Sequence, residues 1–293
     1  YFGEKPGLRG ILYRIIPEDL TAVAEFETGG LDVLGIPSAE YRRYLRDPQW
    51  APLILSQTGL NTYYLGLNCS RPPLSDYRVR QAIQMAIDVE KILHTIYENR
   101  GERAFGPVPP ALWNSGNSGD TLLNSPIPEL SKVSPKFSYD PAKAGKLLKE
   151  AGYPDGFSII LTITPDPEIV DVVETIQAYL KAVSIQVKIR QLEWSAFKKA
   201  TVDGTTDAFY LSWWADYPDP ENFLFPVFHS SNRGAGGNRS HFSDPVSDRW
   251  IEAAQNSTDP RERAALYHRA EQRIIEQSPW VFLWHKKDFV VHQ

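Results

Sequence analysis

The sequence predicts an α/β fold with a mostly parallel sheet flanked by helices. Between residues 140 and 213, segments that alternate apolar and polar residues are separated by segments with apolar residues at helical spacing. Strands and helices that alternate in this way are typical of parallel βαβ units. With 293 residues, of which 42% are hydrophobic, the chain is long enough to bury a full core.

The region that carries this pattern starts at a recognisable helix signal. Asp140 and Pro141 are suited to the N-cap and the first turn of a helix, and Gly152 ends the apolar periodicity. Strands are predicted next at 157–163, 185–189 and 207–213, with helices between them at 169–180 and 194–200.

The flanking regions give shorter signals. Residues 10–16 alternate like a strand, 18–28 fit a helix, and 31–34 and 61–68 fit strands. Ser75 or Asp76 is expected to cap the next helix. Residues 101–138 and 217–245 are rich in loop-forming residues, and a helix from Asp259-Pro260 followed by a strand at 280–284 completes the prediction.

Composition and motifs disfavour several classes of function. The net charge of −5 and the lack of clustered basic residues argue against a nucleic-acid partner and against an anionic membrane. The single cysteine, Cys69, allows no internal disulfide, and no two of the six histidines stand at metal-ligand spacing. No phosphate-binding loop or nucleophile motif is present. We therefore expect no cofactor, no metal and no catalytic residues, and a hydrolase is the least favoured alternative.

The most informative stretch follows the last strand of the βαβ region. Trp213 and Trp214 end that strand and Asp216 comes two residues later, where ligands of open parallel sheets bind. This arrangement predicts an aromatic wall beside a carboxylate that accepts a ligand's ammonium group. The alternative is structural, with Asp216 forming an Asx-turn before a plain turn at 217–220.

Several motifs, and their order along the chain, resemble those of the oligopeptide- and dipeptide-binding proteins of ABC importers. The similarity covers essentially the whole chain. It is carried by Asn68 with 72–82, by 140–153, by Glu193-Trp194, by 213–216 and by the predicted helix around 263–272.

The resemblance implies a role for individual residues. Asp216 matches the carboxylate that pairs with a peptide's N-terminus, and Trp213 and Trp194 match walls of side-chain pockets. Ser212 would offer backbone groups to an extended ligand, as in strand addition. Tyr210 stands where an oligopeptide binder carries an arginine for the peptide C-terminus. The length of the peptide is therefore left open, and the ligand could instead be an oligosaccharide or another solute.

The resemblance also implies an architecture and a setting. Residues 61–283 would form the C-terminal, substrate-binding lobe of a periplasmic-binding-protein-like fold, and 1–60 with 284–293 an incomplete part of the second lobe. The chain starts at Tyr1 without a methionine, so we expect it to be part of a longer protein. That protein would be periplasmic or extracytoplasmic, anchored by lipid or free, and would deliver its ligand to an ABC permease.

Overall fold

The computed structural model describes residues 7–113 and 137–293. Its backbone divides into two compact units. The first unit contains residues up to Gln57 together with Lys287–Gln293, and the second unit is Thr58–Lys286. The assignment of these units to two lobes of a longer protein stays a prediction.

The first unit is small and its core is aromatic. Its elements are helices α1 (Asp19–Glu27) and α2 (Tyr41–Arg46) and strands β1 (Val33–Gly35) and β2 (Ile54–Thr58). The rings of Phe26 and Trp50 lie 5.0 Å apart, and each is 6.4 Å from the ring of Tyr44. β1 pairs antiparallel with the last residues of the chain, Val290 to His292.

Residues 10–16 do not form the strand that their alternation predicts. Ile11, Leu12 and Ile15 are between 69% and 94% exposed. An alternating segment becomes a strand only where a neighbouring strand completes its backbone hydrogen bonds, and no described strand pairs with this one.

The second unit contains most of the regular structure. Its strands are β3 (Asn61–Leu67), β4 (Gly101–Arg103), β5 (Phe157–Ile163), β6 (Ile185–Gln191), β7 (Ala208–Trp214) and the greater part of β8 (Trp280–His292). Its helices are α3 (Tyr77–Ala86), α4 (Val89–Thr95), α5 (Pro110–Trp113), α6 (Pro141–Glu150), α7 (Pro167–Lys181), α8 (Trp194–Val202), α9 (Phe225–Phe228), α10 (Pro245–Asn256) and α11 (Pro260–Gln277).

Strands of the second unit lie in the order β8-β3-β7-β5-β6, and β4 also pairs with β8. The predicted α/β class with flanking helices is confirmed. The parallel arrangement holds for β5 with β6 and with β7, whereas β3 runs antiparallel to both β7 and β8. The sheet is therefore mixed rather than mostly parallel, because β3 and β8 come from outside the βαβ region.

Helices cover both faces of this sheet. Apolar residues of α3, α4, α6 and α7 form one core with β3, β5 and β6, while residues of α8, α10 and α11 form a second core on the other face. The predicted caps are present, since the carboxylates of Asp76, Asp140 and Asp259 accept backbone N–H groups at 2.8 Å. Residues 101–138, predicted as an irregular loop, include β4 and α5, and 114–136 lie outside the described residues.

Candidate ligand-binding site

Strand β7 distributes the predicted site residues over both faces of the sheet. Successive side chains of a strand point to opposite faces. Tyr210 belongs to the core formed with α3, α4, α6 and α7, whereas Trp213 packs against the core formed with α8, α10 and α11. Ser212 and Trp214 therefore share the face of Tyr210, and Trp213 faces the other way.

An aromatic cluster surrounds Tyr210 on the first face. The Tyr63 ring lies 6.2 Å from Tyr210, 6.3 Å from Trp284 and 6.5 Å from Trp214. The Tyr97 ring stacks on Trp284 at 4.6 Å. Trp214 ends the cluster and is 46% exposed, so its ring is open to a ligand.

Burial makes this cluster a hydrophobic rather than a titrating surface. Tyr210 is 6% exposed, and its burial raises the pKa of its hydroxyl well above the ordinary value of 10. Burial likewise raises the pKa of Tyr97. Tyr210 stands where the resemblance places an arginine in oligopeptide binders, and it presents no charge there.

An ion pair between a buried arginine and a partly exposed glutamate adjoins the cluster and is not evident from sequence. The Arg100 guanidinium lies 4.6 Å above the Tyr97 ring, and its Nη2 is 3.0 Å from Oε1 of Glu168. Arg100 is 7% exposed. Nothing in the local sequence pairs two residues 68 positions apart, so only the fold, which brings the segment after α4 to the start of α7, reveals this pair.

Asp216 follows β7 and is exposed. Its backbone N–H donates to Oδ1 of Asn222 at 3.1 Å, and the same oxygen accepts the Trp213 indole N–H at 3.2 Å. Asn222 is 3% exposed. This buried amide therefore holds Trp213 and Asp216 in one arrangement. Sequence reasoning missed Asn222, whose only signal is its position in the motif after Asp216.

The structural role considered for Asp216, stabilising the turn that follows it, is carried out by a neighbouring aspartate. Asp219 caps the short helical turn at Pro220–Phe223 through the Glu221 N–H, and it accepts both Nη groups of Arg263 at 2.8 and 2.9 Å. Within the described residues the Asp216 carboxylate makes neither an ion pair nor a hydrogen bond. Its charge is therefore available to a ligand, whereas that of Asp219 is neutralised inside the protein.

Trp194 lies on the same side of the sheet as Trp213. It begins α8, is 54% exposed, and stacks on the buried ring of Phe197 at 5.8 Å. Phe197 in turn contacts Phe209 of β7, with ring centroids 6.5 Å apart. One face of the Trp194 indole is thus fixed by the core, and the side chain remains open to solvent.

One edge of β7 is open along its second half. β5 pairs with β7 only at Ala208 and Phe209, and no described strand continues that edge. On the other edge, the Ala215 N–H donates to the Leu60 carbonyl at 2.9 Å. Because paired residues alternate between bonding and non-bonding positions in antiparallel strands, the backbone groups of Ser212 and Trp214 face the open edge.

Comparison with known proteins gives the chain's family. The family model described as "Bacterial extracellular solute-binding proteins, family 5 Middle" matches residues 1–235. The chain is 30% identical over 295 residues to heme-binding protein A of Haemophilus influenzae, covering 99% of this chain and 51% of that protein. It is 29% identical over 295 residues to the dipeptide-binding protein of Escherichia coli, covering 99% of this chain and 52% of that protein.

Comparison with solved structures also finds a periplasmic binding protein. The periplasmic binding protein DppA of Helicobacter pylori, in complex with the peptide STSA, matches with a TM-score of 0.78 and 29% identity, over 95% of this chain and 52% of that one. The chain spans about half the length of the curated relatives it matches. In the described ranges, none of the helices is long and apolar enough to cross a membrane. The chain belongs to family 5 of the bacterial extracellular solute-binding proteins.

Proposed function

We propose that this chain is the C-terminal portion of a two-lobed protein that captures a peptide and delivers it to an ABC permease. Residues 61–283 form the ligand-contacting lobe, and 1–60 with 284–293 belong to the other. The family is described as extracellular, and we place the whole protein in the periplasm or an equivalent extracytoplasmic space. The observation that carries the proposal is the open edge of β7.

An extended peptide fits this edge because its backbone can continue the sheet. Ser212 and Trp214 present their N–H and carbonyl groups away from β3, and β5 no longer occupies that side. Pairing through the main chain is independent of the peptide's sequence. A binding protein for varied peptides needs this property.

The end of the bound peptide would be recognised by Asp216. Its carboxylate is exposed, it is not neutralised by a described cation, and its backbone is held by Asn222. A peptide's ammonium group would make a charge-assisted hydrogen bond to it, worth roughly 1.5–3 kcal/mol. Trp214 on one face and Trp213 with Trp194 on the other would contact side chains.

A second candidate is another small solute, such as an oligosaccharide or a flat organic ligand. Two observations favour it. The curated relative at 30% identity is named for heme binding, and Tyr210 offers no charge for a peptide C-terminus. Exposed indoles contact flat or ring-shaped ligands as readily as peptide side chains.

Peptide backbone methylation separates the two candidates. The two-lobed protein is purified, its bound molecules are identified by mass spectrometry, and it is titrated with a peptide and with the same peptide N-methylated at one backbone amide. If the ligand pairs with β7 as a strand, peptides should be found among the co-purified molecules and should be uncleaved. The N-methylated peptide should bind at least tenfold more weakly than the unmodified one. Equal affinities, or a co-purified ligand without peptide bonds, would favour the second candidate.

A further inference from the structure

A pocket separate from the proposed peptide site lies at the opposite end of the sheet from Trp214. β3 runs antiparallel to β7, so Leu67 pairs with Ala208 and Asn61 with Trp214. The pocket begins just after β3, at Cys69, and lies about 20 Å from the proposed peptide site at ~3.4 Å per strand residue. Its volume is about 290 Å³. Its polar lining consists chiefly of Arg80, Arg233, His241, Ser75, Tyr77 and Ser243.

Arg80 brings a buried positive charge to this pocket. It is 3% exposed, and its guanidinium donates to the carbonyls of Gln277 at 2.7 and 2.9 Å, Leu74 at 2.8 Å and Ser75 at 3.1 Å. These partners are all neutral. In the described part of the chain no carboxylate lies within ion-pair distance of Arg80, and the Asp76 carboxylate acts on it only at longer range.

The rest of the pocket adds positive charge and no negative charge. Arg233 supplies this charge and is exposed at the rim, and the His241 imidazole, whose Nε2 lies 3.3 Å from the Thr201 carbonyl, forms another part of the lining. None of the described lining residues is acidic. The nearby carboxylates serve other cations, since Asp244 pairs with Arg273 and Asp76 with Arg78.

Hydroxyl groups complete the site. Ser75, Tyr77 and Ser243 are exposed, and their hydroxyls make no hydrogen bond within the described residues. Together with the Arg233 guanidinium, they can donate to several oxygens of one ligand. N–H and O–H donors that line one pocket, beside a buried guanidinium without an ion-pair partner among the described residues, are suited to an oxyanion.

We propose that this pocket binds a tetrahedral oxyanion, a phosphate or a sulfate. The oxyanion would accept from Arg233 and from the free hydroxyls, and it would neutralise Arg80 from the solvent side. This site is independent of the peptide site, because none of its lining residues belongs to β7 or to residues 215–223, which contain Asp216 and Asn222. The ligand is either the free anion or the phosphate of a lipid headgroup, which offer the same chemistry.

Titration of the chain with inorganic phosphate tests the proposal, with chloride at equal ionic strength as the reference. Arg233→Gln should raise the dissociation constant about tenfold, because it removes a charge-assisted donor. Arg249→Gln removes the same charge from an exposed position on α10 outside the pocket and should leave the constant unchanged. Absence of phosphate binding, or equal weakening by both variants, would overturn the proposal.

Vesicle sedimentation distinguishes the two sources of the anion. Vesicles of phosphatidylglycerol in phosphatidylcholine are compared with phosphatidylcholine alone. If the headgroup is the ligand, phosphatidylglycerol vesicles sediment the parent chain and the Arg249→Gln variant but not Arg233→Gln. If the free anion is the ligand, none of the three sediments, while phosphate still binds the parent. Sedimentation that is equal for all three, without phosphate binding, would contradict the site.

Discussion

Glu271 of α11 should make the stability of the chain fall as pH rises through neutrality. The residue is fully buried. Its Oε1 accepts the Val108 N–H at 3.1 Å, whereas Oε2 has no hydrogen-bond partner among the described residues and is 3.9 Å from Nδ1 of His268. Burial raises the pKa of Glu271 from its ordinary 4.5 to about 8. The folded protein therefore holds a proton that the unfolded chain has released.

The size and sign of the effect follow from linkage. A raised folded-state pKa contributes stability that is fully present below pH 4.5 and is lost as pH rises to about 8. The loss amounts to roughly 3 kcal/mol at pH 7 and roughly 5 kcal/mol above pH 8. Glu271→Gln keeps the acceptor for Val108 and removes the titrating group. Its stability relative to the parent should therefore rise by roughly 3 kcal/mol between pH 4.5 and 7.

Urea unfolding at pH 4.5, 7 and 8.5 measures this difference. Burial lowers the pKa of His268. Because its Nδ1 lies 3.9 Å from Glu271, the comparison is repeated in a His268→Gln background, which removes that titration from both chains. Glu174→Gln, at an exposed position on α7, serves as the matched control and should follow the parent at each pH. A Glu271→Gln variant with the same pH dependence as the parent would refute the buried-acid account.

Two further substitutions test the packing that supports the site. Gly66→Ala in β3 should destabilise the chain by about 1–3 kcal/mol or more, because a Cβ there would lie 2.3 Å from the Phe209 ring. Gly145→Ala on α6 is the control, because no atom of the described residues lies within 4 Å of its Cβ position, and it should be neutral or stabilising in the same urea assay. Comparable stabilities for the two alanine variants would be inconsistent with this packing. Asn222→Ala leaves two N–H groups without their acceptor. It should lower the free energy of unfolding by about 1–3 kcal/mol and weaken ligand binding measured by calorimetry. If stability and affinity are both unchanged, Asn222 does not hold the site.

Local features of the fold were predictable because short-range interactions determine them. Asp140 and Asp259 cap their helices through backbone groups two or three residues away, and that spacing is visible in the sequence. The strands at 157–163 and 207–213 lie within one residue of β5 and β7. Their alternation directly reflects burial on the faces of a sheet.

The direction and order of the strands were not predictable in the same way. β3 lies between β7 and β8, and Tyr64 pairs with Leu211 on one side and Phe282 on the other. Partners more than 140 positions away leave no periodic signal in the sequence. The same limit explains why residues 10–16 alternate but form no strand.

The candidate site was predictable in part. The motif located Trp213, Trp214 and Asp216, and alternation along the strand implies that Tyr210 and Trp213 face opposite sides. Asn222 was missed because its role depends on a turn that returns it beneath the end of β7. The assignment of these residues to ligand binding remains a prediction.

The most direct test of the peptide-binding account compares Asp216→Asn with the parent in the two-lobed protein, by calorimetry with a free peptide and with its N-acetylated form. The account predicts that the substitution weakens binding of the free peptide by roughly 2–5 kcal/mol, because closure of the two lobes would bury the pair and leave the ammonium group without its charged partner. The acetylated peptide should bind both proteins almost equally. Asp155→Asn is the control, because Asp155 is exposed and lies in the turn between α6 and β5, outside the proposed site; it should change neither affinity. Equal losses for free and acetylated peptide, or no loss for either, would contradict the account.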